Sequence, residues 1–169
     1  PLYDKAGDGH YNLISALHKS LRGSDVDASL YWLARMLEGG EDPRYIARRL
    51  IRFSSEDIGL ADPQALVQAI AAFQAFEILG SPEGDLSLVQ AVIYLATSPK
   101  SNSVYRSEKL ARNSAKRSST LPPPKHILYP ANKFIRGFGH GESYKYDHDT
   151  KEGFSGQTYF PDGFKKINF

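Results

Sequence analysis

The chain has 169 residues, 41% of them hydrophobic and 24% charged, and 21 Lys and Arg against 19 Asp and Glu leave a net charge of +2. That is enough chain for one domain with its own core, and a near-neutral balance means that any pull on nucleic acid must come from local patches. Cysteine is absent, which excludes disulfides, thiolate metal sites and cysteine nucleophiles.

Taken in order, Pro1 to Gly7 reads as an entry linker. The start at Pro1 rather than Met suggests a fragment or processed product, with no signal peptide or membrane span in view. Asp8 is expected to cap a helix bearing Tyr11, Ile14, Leu17, His18 and Leu21 at spacings of three and four, closed by Gly23. Ser24 and Asp27 resemble a capping box for a second helix to Glu38, which buries Leu30, Leu33, Ala34 and Leu37 and is ended by Gly39-Gly40. Asp42-Pro43 and Asp62-Pro63 announce two more, since aspartate accepts from first-turn N–H groups and proline gives up a donor that had no partner. The helix from Asp62 to Gly80 is apolar over most of its circumference, so it is predicted to be the central one, covered on several sides. Ser81-Pro82-Glu83 is read as starting a fifth helix, stopped by Pro99, and Ser101-Asn102-Ser103 as starting a polar sixth that runs to about Arg117. Beyond Pro122-Pro123-Pro124 and a short helix over 131–136, the glycine- and aromatic-rich tail is expected to drape over the helical body. Its pins would be Tyr144, Tyr146, Phe154, Tyr159 and Phe160. The pattern is all-α: a bundle of tandem helical hairpins over 1–120, with 121–169 packed on it as part of one domain.

Catalytic signatures are scarce. No G-x-x-x-x-G-K-[ST] phosphate loop occurs, and Gly137, Gly139 and Gly141 follow a helix rather than a strand, which makes them loop residues. His10 and His18 are too far apart on one helix to share a metal, and Asp147-His148-Asp149 reads as a hydrogen-bonded loop, so no metal is expected. Glu56 and Asp57 form an adjacent carboxylate pair of the kind that does acid–base work. On a helical repeat, though, Asp57 shares the side of Ile46, Leu50 and Phe53, while Glu56 falls within reach of Arg52 or Arg49. The expected role is a structural ion pair of Arg52, Glu56 and Asp57 at a helix junction. Basic residues cluster twice: Arg44, Arg48, Arg49 and Arg52, and then Lys100, Arg106, Lys109, Arg112, Lys116 and Arg117.

Longer strings carry a resemblance. GDGHYNLISALHKSLRGSDVDASLYWLARMLEGGEDPRYIARRLIRFSSEDIGLADPQAL, AVIYLATSPKSNSVY, GFGHGESYKYDHD and the late Gln157-Thr158-Tyr159-Phe160-Pro161 closely resemble the C-terminal region of one AAA+ ATPase family. This is the replication-associated recombination protein A family, also called MgsA, whose eukaryotic relative is the Werner-helicase-interacting protein. The likeness departs between Ser114 and Phe138, where PPPKHILYPANKFIRGFG stands in place of a pattern closer to P-x-H-L-R-N-A-P-T-K-L-M-K-x-x-G. The resemblance implies a clamp-loader-type ATPase acting at stalled forks and in recombination. Its core and lid, with ATP and Mg²⁺, would lie upstream, and its all-helical C-terminal part would assemble homotetramers. It also implies association with DNA ends or single-stranded gaps and with single-stranded DNA-binding protein, in the cytoplasm at the nucleoid.

Three functions follow as expectations. The first is an oligomerisation domain without cofactor or catalytic residue of its own, its interface anchored by Tyr11, Tyr31, Trp32, Met36 and Tyr45, which flank the core stripes. The second is a DNA-binding module using Lys100, Arg106, Lys109, Arg112, Lys116 and Arg117. The last is a stand-alone hydrolase built on Glu56 and Asp57.

Overall fold

A computed structural model describes the backbone from residue 8 onward and side chains from residue 11. The expected entry linker, the Asp8 cap and the His10 side chain therefore lie outside the described residues. Helices run α1 (Asp8–Arg22), α2 (Val26–Glu38), α3 (Pro43–Phe53), α4 (Gln64–Leu79), α5 (Asp85–Thr97), α6 (Ser103–Arg117) and α7 (Lys133–Arg136), with no strand among the described residues. The all-α expectation holds. The chain forms two compact units, one up to Lys109 and one from Leu110 to Phe169.

In the first unit α1 packs on α2, α2 on α5, α5 on α4 and α4 on α3. Leu17, Leu21, Leu33, Ile46, Phe53, Ile58, Val92 and Leu95 are fully buried between them, each worth roughly 1.5–3 kcal/mol when removed from water. The Asp-Pro signals work as read. Asp42 accepts from Arg44 N at 2.9 Å to start α3. Asp62 does more: Oδ1 accepts from Gln64 N, while Oδ2 accepts from the Tyr94 hydroxyl at 2.7 Å and from Ser98 Oγ. One carboxylate thus ties the start of α4 to the end of α5, and the Tyr94 hydrogen bond, foremost, holds its pKa below the usual aspartate value.

Two helix starts differ from the sequence reading. Asp25, not Ser24, caps α2 by accepting from Ala28 N at 2.9 Å, because Ser24 sits at φ +58 in the turn. Helix α5 begins at Asp85, after residues 81–84 form a turn; Gly84 there approaches Phe76 so closely that a Cβ would meet its Cα at 3.0 Å.

The larger correction concerns α4, which lies at the edge of the bundle and not at its centre. Its inward face is small, Ala65, Ala69 and Ala72 with Phe76, and lets neighbouring helices come close. Leu66, Val67, Ile70, Ile78 and Leu79 face outward, Ile78 being 83% exposed. An apolar circumference says how much surface wants cover, not how many neighbours supply it.

The second unit is held by polar clamps. Gln157 pairs with Lys145 as a strand would, its side chain accepting from Lys145 N and donating to Lys145 O. Asp147 accepts from Ser155 N at 2.7 Å and from the Tyr159 hydroxyl at 2.8 Å, hydrogen bonds that keep its pKa low. The expected aromatic pins behave differently: Tyr144, Tyr146, Phe154 and Tyr159 are exposed, while Phe160 stacks on Phe164 at 4.9 Å.

Candidate oligomer and nucleic-acid interfaces

Glu56 and Asp57 lie in a π-helical turn, Ser54–Ile58, that continues α3 and widens its last turn. Asp57 is buried and accepts from Arg22 of α1, Nε at 2.6 Å and Nη2 at 3.2 Å, a two-pronged pair across the bundle. Glu56 accepts from Arg52 Nε at 2.7 Å one turn earlier. Asp57 therefore meets Arg22 rather than Arg52, a partner that no local spacing could reveal. Gly59 closes the turn at φ +53, and a Cβ there would meet Val104 Cγ2 at 3.0 Å. Beside this pair His18 is buried, edge-on to Phe53 at 5.5 Å, with Nε2 unpartnered. Burial, reinforced by Arg49, lowers its pKa from 6.5 to about 4.

The expected interface aromatics separate on inspection. Met36 is 0% exposed and belongs to the core, so it cannot anchor a subunit contact; the side that flanks the α2 stripe faces another helix. Trp32 and Tyr45 are half-buried against the same core, and burial raises the Tyr45 pKa. Tyr11 and Tyr31 are exposed, and Tyr31 receives Arg35 both as a hydrogen bond to its hydroxyl and over its ring. Sequence reading missed the larger apolar surface: the outer side of α4 with Leu86 and Ile93 of α5. Between the two helices runs a groove of about 200 Å³ floored by Ala71, Ala72, Ala75 and Ala91 and flanked by Gln68 and Gln90.

Among the basic candidates Lys100 drops out. Its ammonium donates to Ala96 O, Ser98 O and Ser24 Oγ, closing the C-terminal end of α5, where a cation is favoured. Burial lowers its pKa. Arg106 and Lys109 in the first unit, and Arg112, Lys116 and Arg117 in the second, are exposed along α6. Among the described residues no group of three or more His, Asp or Glu is placed to hold a metal, and no helix is long and apolar enough to cross a membrane.

The described residues define an all-helical domain followed by a loop-rich C-terminal unit held by polar clamps. Residues 23–169 match the family described as MgsA AAA+ ATPase, C terminal, and the chain belongs to that family. It is 48% identical over 161 residues, 95% of its length, to replication-associated recombination protein A of Coxiella burnetii, and 45% identical over 160 residues to that of Escherichia coli K12. It is 44% identical over 170 residues to ATPase WRNIP1 of Dictyostelium discoideum. The chain spans 37%, 36% and 19% of those three proteins, respectively.

Proposed function

We propose that this chain is the assembly domain of a DNA-dependent AAA+ ATPase of replication-fork maintenance and recombination, joining copies of the protein into a homotetramer. The observation that carries it is the exposed apolar side chains of α4 and α5, Leu66, Val67, Ile70, Ile78 and Leu79 with Leu86 and Ile93, since clustered apolar surface in water marks an interaction site. A second copy of the chain is the occupant, with Tyr11 and Tyr31 as further contacts. On this reading ATP and Mg²⁺ are bound by an AAA+ core outside these residues. The reading places the protein in the cytoplasm at the nucleoid, with DNA and single-stranded DNA-binding protein as partners.

Light scattering on the chain tests it. The mass is expected to rise with concentration from 18.8 kDa toward that of four copies, and Ile70→Asp or Ile93→Asp to return it to one copy with helicity unchanged. A single copy at every concentration overturns the proposal.

A second reading, nucleic-acid binding, is favoured by the charge distribution. Residues 110–169 carry ten Lys and Arg against five Asp and Glu, whereas residues 1–109 carry eleven against fourteen. Arg106, Lys109, Lys116 and Arg117 make no ion pair among the described residues. Such cations bind phosphate with an affinity that falls steeply as salt rises.

A further inference from the structure

Residues 129–138 hold three large aromatic rings in water: Tyr129 is 84% exposed, Phe134 74% and Phe138 55%. Phe134 and Phe138 meet edge to face with centroids 5.0 Å apart, at and just beyond α7, which Asn132 caps by accepting from Ile135 N at 2.8 Å. Lys133 and Arg136 are exposed on the same short helix, and Lys125 lines an open concavity of about 810 Å³ together with Phe138. None of these three cations has a carboxylate partner among the described residues. The segment is nevertheless tied down: Gly141 N donates to Lys125 O at 2.9 Å, and Gly141 lies so close to Pro130 that a Cβ would meet its Cδ at 3.1 Å.

Rings and free cations interleaved on a fixed loop match one kind of ligand better than others. Unpaired bases stack on aromatic faces while the phosphates between them meet Lys and Arg. A duplex keeps its base faces inside and would leave the rings idle. An apolar protein groove would have to desolvate Lys133 and Arg136 without partners. Glu142 and Asp162 also line the concavity; they repel phosphate but accept from base N–H groups, so the bases belong on that side and the backbone over α7.

We propose that Phe134 and Phe138 form a stacking platform for single-stranded nucleic acid, with the exposed Tyr129 as a further ring of the same segment, and that its phosphates are held by Lys125, Lys133 and Arg136. The proposal rests on the nucleic-acid reading and assigns its bases a place that the α6 cations do not offer. The test is fluorescence anisotropy of this chain with labelled oligo-dT, oligo-U and a duplex of equal length, across a salt series. Both single strands are expected to bind within a few-fold of each other, because neither rings nor cations read the 2′-hydroxyl, and the duplex more weakly. Phe134→Ala and Phe138→Ala are each expected to weaken single-strand binding about 5- to 100-fold with the salt slope unchanged. Lys133→Gln and Arg136→Gln should each lower that slope by about 0.7. A double Phe→Ala variant that binds as before overturns the platform, as does a duplex bound equally well. If binding instead disappears only with Lys116→Gln and Arg117→Gln, the nucleic-acid reading survives and the platform does not. No binding at low salt removes both.

Discussion

The two units hold their backbones by opposite means. Up to Lys109, apolar side chains close a core, and two carboxylates beside it are matched, Asp57 by Arg22 and Glu56 by Arg52, while Arg49 Nε is buried without a hydrogen-bond partner. From Leu110 on, the described residues hold a loop-rich chain with polar clamps, Gln157 on Lys145 and Tyr159 on Asp147, and leave rings and cations in water. The first arrangement is governed by burial, so its sensitive positions are the large interior ones. In the second, an exposed ring contributes little to stability, so keeping it there is better explained by what the ring touches than by what it supports.

Three substitutions bear on that contrast. Phe53→Ala empties a fully buried ring site and should destabilise the helical unit by about 3–5 kcal/mol in urea unfolding followed by helical circular dichroism; a loss under 1 kcal/mol would mean that the core is not where stability resides. The next largest effect is expected from acid. His18 titrates at about 4 when folded against 6.5 when free, so between those values the unfolded chain binds the extra proton. Stability is then full above about pH 6.5 and declines as the pH falls toward 4, by at most about 3 kcal/mol. His18→Leu should flatten that decline, and an unaltered pH profile in the variant would locate the acid sensitivity elsewhere. Smallest of all, Phe134→Ala should shift unfolding by no more than about 0.5 kcal/mol, as surface changes usually do; a shift comparable to that of Phe53→Ala would erase the distinction between the units.

How much could be read beforehand depends on the range of the interaction. The Asp42 and Asp62 starts, the end of α2 at Gly39 and the span of α6 are local hydrogen-bond chemistry, and all were legible. The cap at Asp25 was missed by one residue because Ser24 and Asp25 offer the same side-chain acceptor, and only the turn conformation chooses between them. Lys100 looked like part of a basic patch until its ammonium was found on the carbonyls that end α5. Met36 and the α4 face were exchanged for a related reason. Both lie on apolar helices, and periodicity marks which residues avoid water without saying whether the neighbour that covers them belongs to the same chain. The rings at 134 and 138 sat in the stretch that departs from the family pattern, where nothing local distinguishes a pinned aromatic from a free one.

What the amino-acid order alone determined was the helical class, most of the helix ends and the family, because capping, glycine turns and long matching strings are properties of neighbouring residues. Only the folded arrangement decided that Arg22 would find Asp57, that α4 would stand at an edge, and that rings of the second unit, Tyr129, Phe134 and Phe138 among them, would remain in water. Those outcomes depend on which surfaces meet across long stretches of chain, and the free energy that selects them is a sum over the whole packed unit, carried by no single segment.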